Sequence, residues 1–160
     1  MIISIIGSGG KTTRMKELLF KYKEEGKTVL MTTSTHMRIE EDTLVDPTYE
    51  EIHEEIKNKG YAFAGNRFDE SKIKALDQDL LKQLKKEVDV ILIEADGSRE
   101  FPLKVPADYE PVIDEDTDEI ILITSMKGLG KRVEDVVHRY ELLDLDPNRQ
   151  YEMTRRKQKK

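Results

Sequence analysis

The N-terminal stretch IISIIGSGGKTT, residues 2–13, constrains the fold more than any other part of the chain. Four of its first five residues are isoleucine and a glycine follows them, a pattern typical of a buried strand. Beyond the glycines, apolar residues recur at helical spacing as far as Gly26: Met15, Leu18, Leu19 and Tyr22. Residues 27–33, KTVLMTT, then predict a second strand. A strand, a glycine loop, a helix and a strand in succession predict a βαβ unit and hence a parallel sheet.

The same alternation continues downstream. Asp46 as N-cap, Pro47 in the first turn and Gly60 beyond the end predict a second helix. YAFAG, residues 61–65, predicts a short strand after it. A longer helix is predicted from Ser71, with its apolar residues directed inward: Ile73, Leu76, Leu80, Leu81 and Leu84.

Two near-continuous apolar runs predict further strands, VDVILIEADG at residues 88–97 and EIILIT at residues 119–124. Such runs are typical of strands that helices cover on both faces. A final helix is predicted over residues 132–143, with one apolar side: Val133, Val136, Val137 and Tyr140. The pattern therefore predicts an α/β fold, a doubly wound and mostly parallel sheet in three layers like that of P-loop NTPases. We expect one nucleotide-binding domain over residues 1–146 and a basic, disordered tail over residues 147–160.

Composition excludes several classes of function. The chain has 27 basic and 33 acidic residues, and its net charge of -6 argues against duplex DNA or an acidic membrane as the main partner. The absence of cysteine excludes disulfides, thiolate zinc sites, iron–sulfur clusters and thiol catalysis. The N-terminal apolar run is too short for a signal peptide, and no run approaches the roughly 20 apolar residues of a membrane helix. We therefore expect a cytoplasmic protein with neither a membrane partner nor a specific nucleic-acid partner.

The glycine loop has the chemistry of a phosphate-binding loop. A loop between a strand and a helix N-terminus presents backbone N–H groups at the positive end of the helix dipole. Lys11 would contact the β- and γ-phosphate oxygens, and the Thr12 hydroxyl would bind Mg²⁺. A glycine turn before an exposed lysine could have the same amino-acid sequence. Here, however, a predicted strand precedes the loop and a predicted helix follows it, as in a phosphate-binding loop. The candidate nucleotide-binding residues of the loop are Gly7, Ser8, Gly9, Gly10, Lys11, Thr12 and Thr13.

The usual P-loop spacing would place a glycine where this chain has Ile5. The stretch GSGGKTT instead resembles the shorter form G-x-x-G-K-T-T of the Mur ligase and folylpolyglutamate synthase P-loops, with Gly7 in the leading position. Those enzymes depend on ATP, so the resemblance favours ATP. The residues themselves leave ATP and GTP both open.

Two acids at the end of a predicted strand supply the carboxylates that a magnesium nucleotide needs. Glu94 and Asp96 are two positions apart, so an extended chain directs both to the same side. In open parallel sheets, ligands bind at that end of the strands. The candidate metal ligands are Thr12, Glu94 and Asp96, and the candidate catalytic residues include Lys11, Glu94 and Asp96. Which acid would contact the metal and which would orient water stays open, as does a simpler role in ending the strand.

Three other segments contribute candidates. The stretch TTSTH, residues 32–36, follows the second strand, and its hydroxyls and His36 would either contact phosphate, metal-bound water or substrate or cap the strand end. In the loop after the acids, Arg99 and Lys104 would either clamp an anion and stabilise transferring charge or stay solvated, so Arg99 is a further catalytic candidate. KGLGK, residues 127–131, lacks Ser or Thr after its last lysine and is interpreted as a strand-to-helix turn.

The order of these motifs resembles the YqeC-type proteins, described as accessory proteins of selenium-dependent hydroxylases. Four stretches between residues 2 and 143 carry the resemblance: IIGSGGKTT, VLMTTSTHM, VILIEADGSREFPLKVPADYEPVI and EIILITSMKGLGKRVEDVVHRYELL. The third is long and unusual, which makes the resemblance specific. It implies that the loop residues form a nucleotide site that is completed from two sides by Thr33, Thr35, His36, Glu94, Asp96, Gly97, Ser98, Arg99 and Lys104.

Three functions are compatible with these features. The first is a Mg²⁺-dependent ATPase or GTPase that assists the maturation of selenium-dependent molybdenum hydroxylases, with the hydroxylase or its cofactor-maturation proteins as partners. The second is an ATP-dependent phosphoryl-transfer or ligase-like enzyme that acts on a small acceptor. The third is a non-catalytic, nucleotide-gated module that docks on a partner protein. In none of them could the chain carry selenium or sulfur on a thiol, because it has no cysteine.

Overall fold

A mostly parallel β-sheet with helices on both faces forms the fold. The computed structural model describes residues 1–97, 101–146 and 149–154. The strands are Ile2–Gly7 (β1), Val29–Thr33 (β2), His36–Arg38 (β3), Thr43–Val45 (β4), Tyr61–Arg67 (β5), Lys72–Lys74 (β6), Val90–Glu94 (β7), Leu103–Lys104 (β8), Glu119–Ile123 (β9) and Val137–His138 (β10). The α-helices are Lys11–Glu24 (α1), Tyr49–Lys59 (α2), Gln78–Leu84 (α3) and Val133–Val136 (α4). Two short 3-10 turns, Met126–Gly128 and Tyr140–Leu142, complete the elements.

The main sheet has the strand order β3-β6-β5-β2-β7-β1-β9, and β4 pairs with β5. The pairs among β1, β2, β5, β7 and β9 are parallel, as is the β4 pair. At one edge β6 runs antiparallel to both β3 and β5, so the sheet is mixed. The α/β fold with a mostly parallel sheet is thereby confirmed. The carboxyl ends of β1, β2 and β7 meet at one edge of the sheet, where the predicted site residues follow each strand.

Each face of the sheet buries a separate apolar core. On one face, α1 packs the buried side chains of Met15, Leu18 and Leu19 against β1, β2 and β7. On the other face, α2 and α3 bury apolar residues against the alternate side chains of the same strands: Ile52, Ile56 and Leu84. Because side chains on both faces of the central strands are buried, these strands have continuous apolar sequences rather than alternating apolar and polar residues. Among the described residues, no helix is long and apolar enough to cross a membrane.

The helix predicted from Ser71 is wrong in its first half. Residues 72–74, KIK, form β6, in which only Ile73 is buried, and the helix itself is α3. The alternation of lysine and isoleucine has the period of a strand, and pairing with β3 and β5 decides between the two conformations. The N-cap of α2 was also predicted two residues early. Thr48 caps that helix, whereas Asp46 has a positive φ of 53° and its carboxylate accepts the N–H of Arg67.

The C-terminal third differs most from the prediction. The helix predicted over residues 132–143 is reduced to α4, after which β10 pairs in parallel with β8 in a separate two-stranded sheet. The valines that suggested a helical stripe form a small cluster with Leu103 and Tyr151. Within the tail, residues 149–154 have backbone hydrogen bonds to residues 130–133, and the other tail positions lie outside the described residues.

The last strand of the sheet, β9, is more exposed than its sequence predicted. Ile120 is 52% exposed and Leu122 is 70% exposed, although both belong to an uninterrupted apolar run. The strand pairs with β1 on one side, which places it at the sheet edge among the described strands. Its pairing nevertheless matters for the site, because the loop that follows β1 is anchored on it.

We expect Thr48→Ala to lower the free energy of unfolding by about 1 kcal/mol, because the Thr48 hydroxyl accepts the N–H of Glu51 in a capping box. Urea denaturation followed by circular dichroism measures this. Asn58→Ala, at an exposed position of the same helix, is the matched control. It should be neutral or slightly stabilising because alanine has the higher helix propensity. Equal destabilisation by both substitutions would contradict the capping assignment.

Candidate functional site

The loop between β1 and α1 is a cradle of backbone held open by glycines. Gly7, Gly9 and Gly10 all have positive φ, and α1 begins immediately afterwards at Lys11. Within the described part of the chain, no side chain caps the first turn of α1. The N–H groups of this turn are therefore without a side-chain cap at the positive end of a 14-residue helix, a geometry suited to an anion such as phosphate.

The sides of this cradle are anchored on two neighbouring segments. The N–H of Ser8 donates to the carbonyl of Ile123 in β9 at 2.9 Å, and the Ser8 hydroxyl donates to the carbonyl of Pro102 at 3.1 Å. Gly9 leaves no room for a side chain, because a Cβ there would lie 2.3 Å from the Cβ of Ser125. The loop is thus fixed by β9 on one side and by the segment before β8 on the other.

Lys11 is folded back over the loop and is buried. Its side chain is only 5% exposed, and its ammonium donates to the carbonyl of Gly7 at 2.8 Å. The Nζ atom lies 3.1 Å from Asp96 Oδ1 and 3.6 Å from Glu94 Oε1. A lysine that merely follows a glycine turn would extend into water, so this position distinguishes Lys11 from a surface cation.

Asp96 joins three parts of the site. Its Oδ2 accepts the N–H of Gly7 at 2.8 Å and lies 2.8 Å from the ammonium of Lys104. The other oxygen, Oδ1, is buried without a hydrogen bond, although Lys11 Nζ lies 3.1 Å away, because that pair is not aligned for one. Asp96 is 2% exposed, so its charge is compensated by two lysines and a backbone amide rather than by solvent.

Glu94 is the acid that faces the opening. It is 8% exposed, and burial raises its pKa to about 7, with the nearby charge of Asp96 acting in the same direction and Lys11 acting against it. The two acids therefore differ in role. Asp96 lies behind the loop and holds it, whereas Glu94 lies beside Lys11 at the surface of the cleft.

Hydrogen bonds join the carboxyl end of β2 to the carboxyl end of β7. The Thr33 hydroxyl donates to the carbonyl of Glu94 at 2.9 Å and accepts the N–H of Thr35 at 3.0 Å. The N–H of Ser34 donates to the same carbonyl at 3.0 Å. Thr33 is therefore a positioning residue. His36 begins β3, where its exposed ring packs against Phe68 with 3.8 Å between the ring centroids.

These elements surround one cleft of about 1680 Å³. The predicted site residues that line it are Gly9, Gly10, Lys11, Thr12, Thr13, Thr35, His36, Glu94 and Gly97. Five other predicted residues are buried behind the lining and hold it in place: Gly7, Ser8, Thr33, Asp96 and Lys104. Ser98 and Arg99 lie outside the described residues. The structure thus brings these predicted residues together at one cleft beside α1.

Residues that were not predicted also line the cleft, and many of them are basic. Three lie on the strands of one sheet edge, Arg38, Lys72 and Lys74, and three lie on segments that follow β9 at the other edge, Lys127, Lys131 and Arg139. Two of these belong to KGLGK, which begins in the 3-10 turn Met126–Gly128 and lies between β9 and the short helix α4. The alternation of the KIK segment was the available signal for Lys72 and Lys74, and it was hidden by the helical interpretation of the surrounding residues.

A second charged cluster continues behind the site. Glu110 accepts hydrogen bonds from Lys104 at 2.9 Å and from Arg139 at 2.6 Å. Burial by itself would raise the pKa of Glu110, but the hydrogen bonds and charges of Arg139 and Lys104 hold that pKa at about 2. Because Lys104 also contacts Asp96, an unbroken row of alternating charges runs from Lys11 to Arg139.

The donor set is compatible with Mg²⁺ only in the presence of a phosphate ligand. Across residues 1–97, 101–146 and 149–154, no group of three or more His, Cys, Asp or Glu side chains is arranged to hold a metal ion. The cleft offers the Thr12 hydroxyl and the Glu94 carboxylate, and Asp96 has a buried oxygen without a hydrogen bond. Mg²⁺ in nucleotide sites characteristically takes one or two protein ligands and completes its shell with phosphate oxygens and water.

Comparison with known proteins gives one family. The family model described as YqeC protein matches residues 3–141. A curated relative from Escherichia coli (strain K12), named "Uncharacterized protein YqeC", is 32% identical over 147 residues, which are 87% of this chain and 57% of the relative. The chain thus spans a little over half the length of that relative. No solved structure matches the chain.

We expect Gly7→Ala to destabilise the protein by at least about 1–3 kcal/mol, because the φ of +97° is strained for alanine and its Cβ would lie 1.9 Å from the carbonyl oxygen of Ile123. Thermal unfolding measures the loss. Gly97→Ala is the matched control, since a Cβ there meets nothing within 4 Å. A Gly7→Ala protein as stable as the control would show that the loop is not anchored on β9 as described.

Glu110 should make stability pH-dependent. Its folded pKa of about 2 is below the ordinary value of 4.5, so its contribution is fully present above about pH 4.5 and is lost as the pH falls towards 2. We therefore expect Glu110→Gln to be less stable than the unmodified protein at pH 7, with the difference shrinking between pH 4.5 and pH 3. Urea denaturation at these pH values measures it. A difference that stays constant with pH would contradict the assignment.

Proposed function

The chain belongs to the YqeC family, and we propose that it is a Mg²⁺-dependent nucleoside triphosphate-binding protein, an ATPase or GTPase. The single observation that supports this most directly is the buried Lys11 beside an uncapped helix N-terminus and two acids. The position of the loop at the carboxyl end of β1 in a mostly parallel sheet supports the proposal, because ligands of open α/β sheets bind at that end of the strands. The accessory role in the maturation of selenium-dependent molybdenum hydroxylases rests on the resemblance to YqeC-type proteins.

In this proposal, different groups of the loop bind different parts of a triphosphate. The backbone N–H groups of residues 9–13 surround the phosphate oxygens, and Gly9 and Gly10 keep side chains out of the way. The Lys11 ammonium turns from Asp96 towards the β- and γ-phosphates, which replace the carboxylate as its counter-charge. The charge of Lys104 remains beside Asp96, so this acid is not left uncompensated when Lys11 moves.

The cleft acids supply the remaining chemistry. Two roles are open to Glu94. With the Thr12 hydroxyl it would hold Mg²⁺, which when bound would neutralise part of the phosphate charge. Alternatively, with Mg²⁺ held by Thr12 and phosphate oxygens, the Glu94 carboxyl would accept a proton from a water beside the phosphates, a role suited to its pKa of about 7. The Thr33 hydroxyl keeps Glu94 in place by donating a hydrogen bond to the backbone carbonyl of Glu94.

A second candidate function, transfer of a phosphoryl group to a small acceptor, is favoured by the size and charge of the cleft. A cleft of about 1680 Å³ is larger than the roughly 300–1,000 Å³ of common small-molecule sites. Steady turnover by the chain alone would favour hydrolysis, whereas ADP release that depends on an added acceptor would favour transfer. Tight binding without turnover until a partner protein is added would favour a nucleotide-gated module.

We expect Lys11→Ala to weaken Mg²⁺·nucleotide binding about 10- to 150-fold, because it removes one charge-assisted hydrogen bond worth roughly 1.5–3 kcal/mol. Isothermal calorimetry with Mg²⁺ and non-hydrolysable ATP and GTP analogues measures the affinity and identifies the base. Lys21→Ala, an exposed position on the same helix, is the matched control and should bind as the unmodified protein does.

Unchanged affinity in a folded Lys11→Ala variant would overturn the nucleotide assignment. Circular dichroism provides the folding check. The accessory role is tested separately in a host that needs the protein, where Lys11→Ala should fail to restore the activity of a selenium-dependent hydroxylase. Restoration by that variant would separate the accessory role from nucleotide binding.

A further inference from the structure

The segment SMKGLGK, residues 125–131, lies beside the glycine loop. A Cβ added to Gly9 would lie 2.3 Å from the Cβ of Ser125, so the segment packs against the loop at this point. Lys127 and Lys131 both line the cleft that the loop residues line. Two lysines that follow β9 are therefore placed at the same cleft as the uncapped N-terminus of α1.

Hydrogen bonds fix the backbone of this segment at both lysines. The N–H of Lys127 donates to the Ser125 hydroxyl at 3.2 Å. The N–H of Lys131 donates to the carbonyl of Gly128 at 3.2 Å, and the carbonyl of Lys131 accepts the N–H of Met153 at 2.9 Å. The backbone positions from which the two side chains reach the cleft are therefore set by the fold itself.

The charges of the two lysines are not neutralised within the described part of the chain. Across residues 1–97, 101–146 and 149–154, no carboxylate forms an ion pair with Lys127 or Lys131, and neither ammonium donates a hydrogen bond. The acids that line the cleft, Glu40, Glu94 and Glu110, each pair with another cation. Both lysines are exposed, so their ammonium groups are accessible to an anion in the cleft.

The two lysines follow the strand on the other side of β1 from Glu94. In the sheet β1 lies between β7, which ends at Glu94, and β9, which leads into the segment. A phosphate chain bound at the glycine loop would therefore have Glu94 on one side and the two lysines on the other. Lys11 differs from them, because its ammonium is already beside Asp96 and Glu94.

We propose that Lys127 and Lys131 bind the phosphate chain of the nucleotide from the side of the cleft that follows β9. Lysine suits this role because its ammonium is a point charge on a flexible stem, and hydrogen bonds from a cation to phosphate are strong. These two charges add to that of Lys11, which has to be released from its carboxylates before it can contact phosphate. The affinity for a phosphate chain stands on the geometry of the segment, whereas the identity of the ligand as a nucleotide rests on the proposed function.

The test is isothermal calorimetry of the full chain with Mg²⁺ and three ligands: a non-hydrolysable ATP analogue, a non-hydrolysable GTP analogue and inorganic tripolyphosphate. We expect Lys127→Gln/Lys131→Gln to weaken the binding of tripolyphosphate and of the preferred analogue at least about tenfold, which corresponds to about 1.4 kcal/mol. Lys127→Arg/Lys131→Arg should retain the binding, because it keeps both charges. Added salt should weaken the unmodified protein more than the glutamine variant.

Two controls separate direct contact from other effects of the substitution. Lys82→Gln/Lys86→Gln makes the same change of net charge at exposed positions outside the cleft lining and should bind as the unmodified protein does. Thermal unfolding should show that Lys127→Gln/Lys131→Gln is as stable as the unmodified protein, because its two side chains have no ion pair or hydrogen bond among the described residues.

The outcomes distinguish this inference from the proposed function. Binding of tripolyphosphate but of neither analogue, weakened in the glutamine variant, would overturn the nucleotide function and leave the phosphate site in place. Equal binding by the glutamine variant and the unmodified protein, with affinity lost in Lys11→Ala, would overturn the inference and leave the function. Equal weakening by Lys82→Gln/Lys86→Gln would also overturn the inference, since net charge alone would then explain the loss. Failure of all three ligands to bind would overturn both.

Discussion

The site depends on the buried carboxylate of Asp96. It accepts the N–H of Gly7, faces the ammonium of Lys11 and pairs with Lys104, and so it connects the glycine loop, α1 and the segment of β8. These groups come from positions far apart in the chain, and each is buried. A buried charge without such partners would be strongly unfavourable. The folded geometry of the loop is therefore inseparable from the charges that surround it.

The parts of the fold that the sequence predicted are those specified by local patterns. β1, α1, β2 and β7 each have a clear apolar period and glycine or polar boundaries, and their order placed Lys11, Glu94 and Thr35 at one sheet edge. The errors at β6 and in residues 132–143 have a different origin. There the residues favour neither state strongly, and pairing with distant strands decides the conformation. Because the wall with Lys72 is built by that pairing, its cations could not be assigned to the cleft beforehand.

The charges around α1 are compensated within the protein. Lys11 has Asp96 and Glu94 as partners of opposite sign, and the ammonium of Lys104 lies beside Asp96 and Glu110. The site therefore keeps the positive charge of Lys11 in a neutralised form until a ligand displaces the carboxylates.

Lys104 shows how tightly these parts are joined. Its ammonium lies within 3.0 Å of three oxygens, one each from Gly97, Asp96 and Glu110, and an ammonium has three protons to offer. The Gly97 carbonyl and the Glu110 carboxylate accept hydrogen bonds from this ammonium, and Asp96 forms an ion pair with it. A shift of Asp96 that accompanies a change at the glycine loop would therefore alter the balance of charge that Lys104 shares with Glu110. Arg139 lines the cleft and donates to Glu110, so a residue of the cleft beyond the loop is electrostatically connected to it.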